Sequence, residues 1–320
     1  MRVIFLGSPD FAIESLRALI ESHHEVLAVV TQPDAEAGRG HKVLPCAVKE
    51  FAAHAGLRVL SYEKISRDGL DDLKLLAPDI MITCAYGQIL SQAIIDIPRF
   101  GIINVHGSLL PKYRGAAPIQ TAIIDGETET GVTIMQTEAG LDTGDILKVG
   151  RMEIGENETS GELMARLSGL GAKLLLETLD DFEKGTITRT RQVSNDATFT
   201  TKLTKLNCSI NFNKTAKQVH NLVRGANPDP IARTSLNGDA VKIYETRVRP
   251  DIASTADKAG TIIAPTSAKA GVFVQCGFGV IEIVKMQLPN GKVVDAKALV
   301  GGRKLSAGQV FGEFASTKVE

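Results

Sequence analysis

The first thirty residues restrict the fold more than any other stretch of the chain. Arg2 to Leu6 is a short apolar run, Gly7-Ser8-Pro9 breaks it, and Pro9 to Glu21 sets Phe11, Leu16, Leu19 and Ile20 at helical spacing. Val26 to Thr31 then reads as a second buried strand. Strand, helix and strand in this order open a doubly wound α/β domain. The alternation continues, with helices near Pro45 to Ala55 and Arg67 to Leu76 and strands near Arg58 to Leu60 and Asp79 to Ala85. The first turn is Gly-Ser-Pro-Asp-Phe rather than Gly-x-Gly-x-x-Gly, and no P-loop occurs. Neither a dinucleotide nor an ATP cofactor is therefore expected.

The polar chemistry concentrates between Asn104 and Asp145. Gly101 to His106 reads as a buried strand, on which residues two apart share a face, so Asn104 and His106 project together. Gly107-Ser108 breaks the strand, and Pro111 keeps the next segment from continuing as a helix or central strand. The pair thus sits at a strand's carboxyl end, where open α/β sheets bind ligands. A helix follows over Gly115 to Gly126, and strands at Gly131 to Thr137 and Asp145 to Ile154 flank a loop that carries Asp142. Taken singly, a histidine in an apolar strand is more often structural, and an aspartate before Thr-Gly is usually a turn or cap residue.

Together these residues form a longer ordered string, NVHGSLLPKYRGAAPIQ (Asn104 to Gln120) followed by AGLDTGD (Ala139 to Asp145). The string resembles the folate-dependent formyltransferases, and among them those whose acceptor is the methionyl ester of initiator tRNA. The resemblance implies a Rossmann-like formyltransferase domain, a C-terminal OB-like β-barrel and catalysis by Asn104, His106 and Asp142. It implies 10-formyltetrahydrofolate as formyl donor, without a metal, and initiator methionyl-tRNA as acceptor. The Tyr86-Gly87-Gln88-Ile89-Leu90 segment and Ser108-Leu109-Leu110-Pro111 would line the folate pocket. The loop from Gln32 to Lys42 resembles an insertion that engages the tRNA acceptor end, which makes Arg39, with its neighbours His41 and Lys42, the tRNA-contacting candidates. Other acceptors on the same domain, such as glycinamide ribonucleotide or an amino-sugar nucleotide, are alternatives. So are hydrolysis of the formylfolate and a non-catalytic folate- or RNA-binding role.

At 320 residues the chain has room for two domains. Glu158-Thr159-Ser160 opens a long helix whose apolar residues run from Leu163 to Phe182, after which Gly185 to Asn207 loses its periodicity. The expected organisation is a catalytic domain over residues 1–190, a linker over 191–207 and a tRNA-binding domain over 208–320. Lys214 to Arg224 reads as a helix, and the short runs Ala240 to Tyr244, Gly260 to Ile263, Gly271 to Cys276 and Val280 to Met286 suit a small barrel. The net charge of −1 conceals an asymmetry: residues 1–200 carry 19 Lys+Arg and 28 Asp+Glu, a net of −9, whereas 201–320 carry 17 and 9, a net of +8. A basic module beside an acidic body fits an RNA partner. The leading apolar run is too short for a signal peptide, and no window approaches eighteen apolar residues, so a cytoplasmic protein with no membrane partner is expected. A monomer is expected. Cys46, Cys84, Cys208 and Cys276 lack metal-ligand spacing and are expected to be reduced.

Overall fold

The structure is a computed structural model that describes residues 1–37, 42–267 and 269–314. It divides into two compact units. The first comprises Met1–Pro118, Glu129–Met152 and Met164–Thr200, and the second comprises Ile119–Thr128, Glu153–Leu163 and Thr201–Glu320.

In the first unit, β1 (Arg2–Gly7) leads through a single 3-10 turn into α1 (Ile13–Glu21) and β2 (Glu25–Thr31). The loop that follows is partly a hairpin, with β3 (Ala35–Ala37) paired to β4 (Lys42–Leu44). Arg39 and His41 lie outside the described residues, and Lys42 is described by its backbone alone. Next come α2 (Ala47–His54), β5 (Val59–Ser61), α3 (Ile65–Asp68) and α4 (Leu70–Leu76). The helix expected over Arg67 to Leu76 is interrupted at Gly69, where a Cβ would meet Ile65 and Tyr62 at 3.1 Å. The chain continues through β6 (Ile80–Cys84), α5 (Gln92–Ile95), β7 (Ile102–His106) and β8 (Arg114–Gly115). After α6 (Pro118–Asp125), which from Ile119 onward belongs to the second unit, come β9 (Glu129–Gln136), β10 (Ile146–Glu153), α7 (Ser160–Lys184), whose residues up to Leu163 also belong to the second unit, and β11 (Phe199–Thr200).

The main sheet has the order β10-β9-β7-β6-β1-β2-β5. Strands β7, β6, β1, β2 and β5 are mutually parallel, and β9 joins β7 antiparallel. Chain order runs outward from β1 to β2 and β5 on one side and to β6 and β7 on the other. That reversal opens a crevice at the carboxyl ends of the strands. The expected doubly wound sheet is therefore present.

Burial follows the period of two. Ile4, Leu6, Met81 and Ile102 join one apolar cluster with Ile65, Leu73 and Ile94. Val3, Phe5, Ile80, Ile82 and Ile103 are equally inaccessible but stand at the alternate positions. Helix α7 buries Leu163, Leu167, Leu175 and Leu179 at spacings that keep one face inward. Its Gly171 permits contact with the sheet, since a Cβ there would lie 2.9 Å from Val105.

The second unit contains α8 (Ala216–Gly225), β12 (Ala232–Leu236), β13 (Asp239–Val248), β14 (Ile262–Ser267), β15 (Gly271–Gln275), β16 (Val280–Gln287), β17 (Val294–Asp295), α9 (Ala296–Gly301) and β18 (Phe311–Gly312). Its strands run β14-β15-β16-β13-β12-β18, each antiparallel to its neighbours. The two ends of this row are joined by hydrogen bonds from Ile262 N–H to Gln309 O (2.8 Å) and Phe311 N–H to Gly260 O (2.9 Å). The strands thus close into a small barrel around Val241, Ile243, Val272, Val274, Ile281 and Ile283, which removes the open edges a sheet of this size would expose. Helix α8 begins with a capping box in which Thr215 and Gln218 satisfy each other's backbone N–H groups. Among the described residues no helix is long and apolar enough to cross a membrane. The four cysteines are free thiols, and burial pushes the thiol of Cys84 up to about 12.

Candidate active site

Asn104 and His106 occupy the last positions of β7, where the register sets Asn104 beside Thr83 of β6 and Met135 of β9. The Thr83 hydroxyl donates to Asn104 Oδ1 at 3.1 Å. That bond turns the amide oxygen toward the sheet and leaves the NH2 end directed away from it. His106 is 6% exposed, and its Nε2 lies 3.0 Å from the carbonyl oxygen of Tyr113. A carbonyl only accepts, so Nε2 carries a proton, and the lone pair of the uncharged tautomer is the one on Nδ1. Nδ1 faces Asp142 Oδ2 at 3.7 Å, longer than a hydrogen bond but close for a charge pair.

Asp142 sits in the loop between β9 and β10 with φ of 50°, a left-handed conformation that aspartate tolerates better than most side chains. Its Oδ2 accepts the Gly115 N–H at 2.7 Å. Gly115 has φ of 103°, and a Cβ there would lie 2.6 Å from Thr200 O, so only glycine brings that N–H to the carboxylate. The expected trio therefore shares one place. Its immediate supports, Thr83, Tyr113 and Gly115, were not singled out by sequence reasoning. Gly115 lies in the Arg-Gly-Ala-Ala-Pro string, where two small residues after a strand end were the available signal.

Ser108 is fully buried, and its hydroxyl donates to Lys112 O at 2.7 Å. Thr133 ties the same turn, donating to Ser108 O (2.7 Å) and accepting from Leu110 N–H (3.2 Å). Leu110 is buried, Leu109 and Pro111 are half-buried, and Leu109 lies over Gly131 of β9. At the end of β6, Tyr86 and Gln88 anchor the chain. Tyr86 O accepts from Gln32, while the Gln88 amide donates to Tyr62 O at 2.8 Å and accepts from Ile65 N–H at 2.8 Å. Between and beyond these anchors Gly87 and Ile89 face outward, Ile89 at 91% exposure, with Leu90 half-buried. Segment 85–90 thus follows the carboxyl end of β6 with Ala85, Gly87 and Ile89 exposed.

His23, His24 and Glu183 form the group among the described residues whose ligand atoms gather as a metal's would, all within 4.8 Å. The Met1 ammonium stands among them, donating to Glu183 at 2.9 Å and lying 3.2 Å from His24 Nδ1.

Comparison with known proteins bears on this geometry. Residues 1–179 match the formyl transferase family and residues 202–304 match the formyl transferase C-terminal domain. A methionyl-tRNA formyltransferase of Acetivibrio thermocellus is 44% identical over 98% of this chain and 100% of its own length. One from Geobacter metallireducens is 43% identical over 98% and 99%. Among solved structures, the sugar 3N-formyl transferase WlaRD superposes with a TM-score of 0.64 at 19% identity, covering 91% of this chain and 99% of that one. HypX from Aquifex aeolicus in complex with tetrahydrofolic acid gives 0.62 at 17%, covering 94% and 47%. At these identities the two structures speak for the fold alone.

Proposed function

The chain belongs to the formyl transferase family, and on that premise we propose that Asn104, His106 and Asp142 transfer the formyl group of 10-formyltetrahydrofolate to the α-amine of methionyl-initiator tRNA. The observation that carries the assignment is His106, held by Tyr113 O with its Nδ1 lone pair turned toward a carboxylate 3.7 Å away. Nδ1 is the free base of the site. It accepts the proton that the acceptor amine loses as its nitrogen bonds the formyl carbon, and returns it to the folate nitrogen as the old C–N bond breaks. Asp142 stabilises the imidazolium between these transfers. The Asn104 NH2 donates to the formyl oxygen, where negative charge grows during attack. The folate is assigned to Tyr86–Leu90 and Ser108–Pro111, and the assignment rests on the family resemblance of these two segments and on their place after the ends of the neighbouring strands β6 and β7.

The tRNA is divided between two parts of the chain. The C-terminal 120 residues, with their net charge of +8, supply bulk attraction to phosphate, while Arg39 orients the acceptor end. Full-length similarity to methionyl-tRNA formyltransferases supports this acceptor over an amino-sugar nucleotide. The test is to incubate the enzyme with 10-formyltetrahydrofolate and a panel of acceptors: charged initiator tRNA, charged elongator tRNA, glycinamide ribonucleotide and an amino-sugar nucleotide. Formylation of initiator methionyl-tRNA above the others is expected, and preference for a small acceptor overturns the reading.

A further inference from the structure

Residues 190–200 lose all periodicity in the sequence, yet they hold both acidic and basic members of the site. Thr190 exchanges two backbone hydrogen bonds with Ile146, at 2.8 and 2.9 Å. Thr198 accepts the Arg114 N–H on its carbonyl and the Tyr113 N–H on its hydroxyl, each at 2.8 Å. Phe199 and Thr200 pair with Arg114 and Gly115, and the Thr200 hydroxyl donates to Ala116 O. The segment therefore fixes Tyr113, whose carbonyl orients His106, and Gly115, whose N–H binds Asp142.

Gln192 lies near its start and is 8% exposed. Its Nε2 gives one hydrogen to Asp142 O (2.9 Å) and the other to Gly144 O (2.8 Å). Its Oε1 accepts from Nε and Nη2 of Arg114, at 3.1 and 2.7 Å, and Arg114 is itself 4% exposed. One planar amide thus uses all its hydrogen-bonding capacity to join the Asp142 loop to the strand that carries the Gly115 donor. Among side chains of this reach only glutamine both accepts and donates with that geometry; glutamate cannot donate, and asparagine is one methylene short.

We propose that Gln192, backed by Arg114, is a positioning residue that holds the Asp142 carboxylate opposite His106 Nδ1. The inference rests on the assignment of Asp142 to the reaction. Asp142 has a left-handed backbone at the tip of a loop, so the clamp on its own carbonyl and on Gly144 decides where the carboxylate stands. A displacement of about 1 Å at a reacting centre costs on the order of 100-fold in rate.

The test compares four full-length variants by melting temperature, kcat and both Michaelis constants. Gln192→Met keeps the side chain's bulk and loses every hydrogen bond. Gln192→Glu still accepts from Arg114 but sets a carboxylate against the two carbonyls. Arg189→Ala removes an exposed contact just before this segment, with Gln136 at 2.9 Å. Asp142→Asn reports on the premise. Expected are a fall in kcat of about 10- to 100-fold for both Gln192 variants, with both Michaelis constants within about threefold of wild type. Gln192→Glu, which keeps its contact with Arg114, should melt above Gln192→Met while kcat falls alike in both, and Arg189→Ala should keep the wild-type kcat. Wild-type kcat in either Gln192 variant, or rates that follow melting temperature across the set, overturns the positioning role. If Asp142→Asn is inactive in that case, the assignment of Asp142 stands and only this inference fails. A fully active Asp142→Asn removes the premise and the inference together.

Discussion

Two buried histidines, one in each unit, spend one ring nitrogen alike and differ in the other. His106 donates Nε2–H to Tyr113 O at 3.0 Å, and His220 on α8 donates Nε2–H to Glu156 O at 3.3 Å. The Nδ1 of His220 then accepts the Thr246 hydroxyl at 3.0 Å, within the body of the second unit. The Nδ1 of His106 faces a carboxylate across a gap longer than a hydrogen bond. The first is a satisfied link between a helix, a strand and a loop. The second leaves Nδ1 without a hydrogen bond to its carboxylate neighbour, which suits the proton-accepting role proposed for it. Burial and hydrogen-bond count alone do not separate a structural histidine from a reactive one; what meets the second nitrogen does.

The same contrast extends to the surroundings. Arg224, one turn beyond His220 on α8, donates to Gly155 O and Glu158 O, each at 3.1 Å, so that helix is given over to holding the loop before α7. The Asp142 loop is held by its backbone, at Asp142 O and Gly144 O, which leaves Oδ2 of the carboxylate facing both Gly115 N–H and His106.

The comparison breaks most sharply on turnover. His106→Ala should lower kcat by about 100- to 1000-fold, the usual loss of a charge-stabilising or proton-transferring group, with little change in melting temperature. His220→Ala should leave kcat within about twofold once the protein is folded. Equal losses in the two variants, measured in one formylation assay, would show that His106 matters only as a packed residue.

A second, smaller effect sharpens the division between units. If the basic C-terminal residues neutralise about four phosphates, the Michaelis constant for tRNA should rise on the order of 100-fold between about 50 and 200 mM salt. That for the folate should change far less. Parallel salt dependence for both substrates would place the tRNA attraction elsewhere.

Third, His220→Ala should cost about 1–3 kcal/mol of stability, because the Glu156 carbonyl and the Thr246 hydroxyl lose their buried partner. Burial lowers the pKa of His220 below its ordinary 6.5, so the unfolded chain takes up a proton more readily than the folded one. Stability from this residue is complete above pH of about 6.5 and falls as pH drops below it. Denaturant midpoints across that range should decline less steeply in the variant. An unchanged slope would mean that His220 does not resist protonation in the folded state.

The smallest effect concerns Arg39. Arg39→Ala should change the salt slope for tRNA by only about one, while reducing discrimination between initiator and elongator methionyl-tRNA or lowering turnover. Kinetics on both tRNAs that match wild type would leave the loop as solvated surface.

The sequence by itself determined the strand and helix order, the placement of Asn104 and His106 on one face of a strand end, and the nearby loop carrying Asp142. Those features are local: apolar runs at a period of two, apolar positions at helical spacing, and an Asn-x-His step depend on neighbours within a few residues. Tertiary structure alone decided which nitrogen of His106 is free, because Tyr113 O is positioned by Thr198, 85 residues further along. It also decided that the Ser108 hydroxyl is spent inside its own turn, that residues 35–37 pair with 42–44, and that Gln192 reaches Asp142 across 50 positions and Arg114 across 78. A hydrogen bond between distant residues leaves no periodic trace in either segment. Its geometry exists only once the sheet has brought both strand ends to the same crevice.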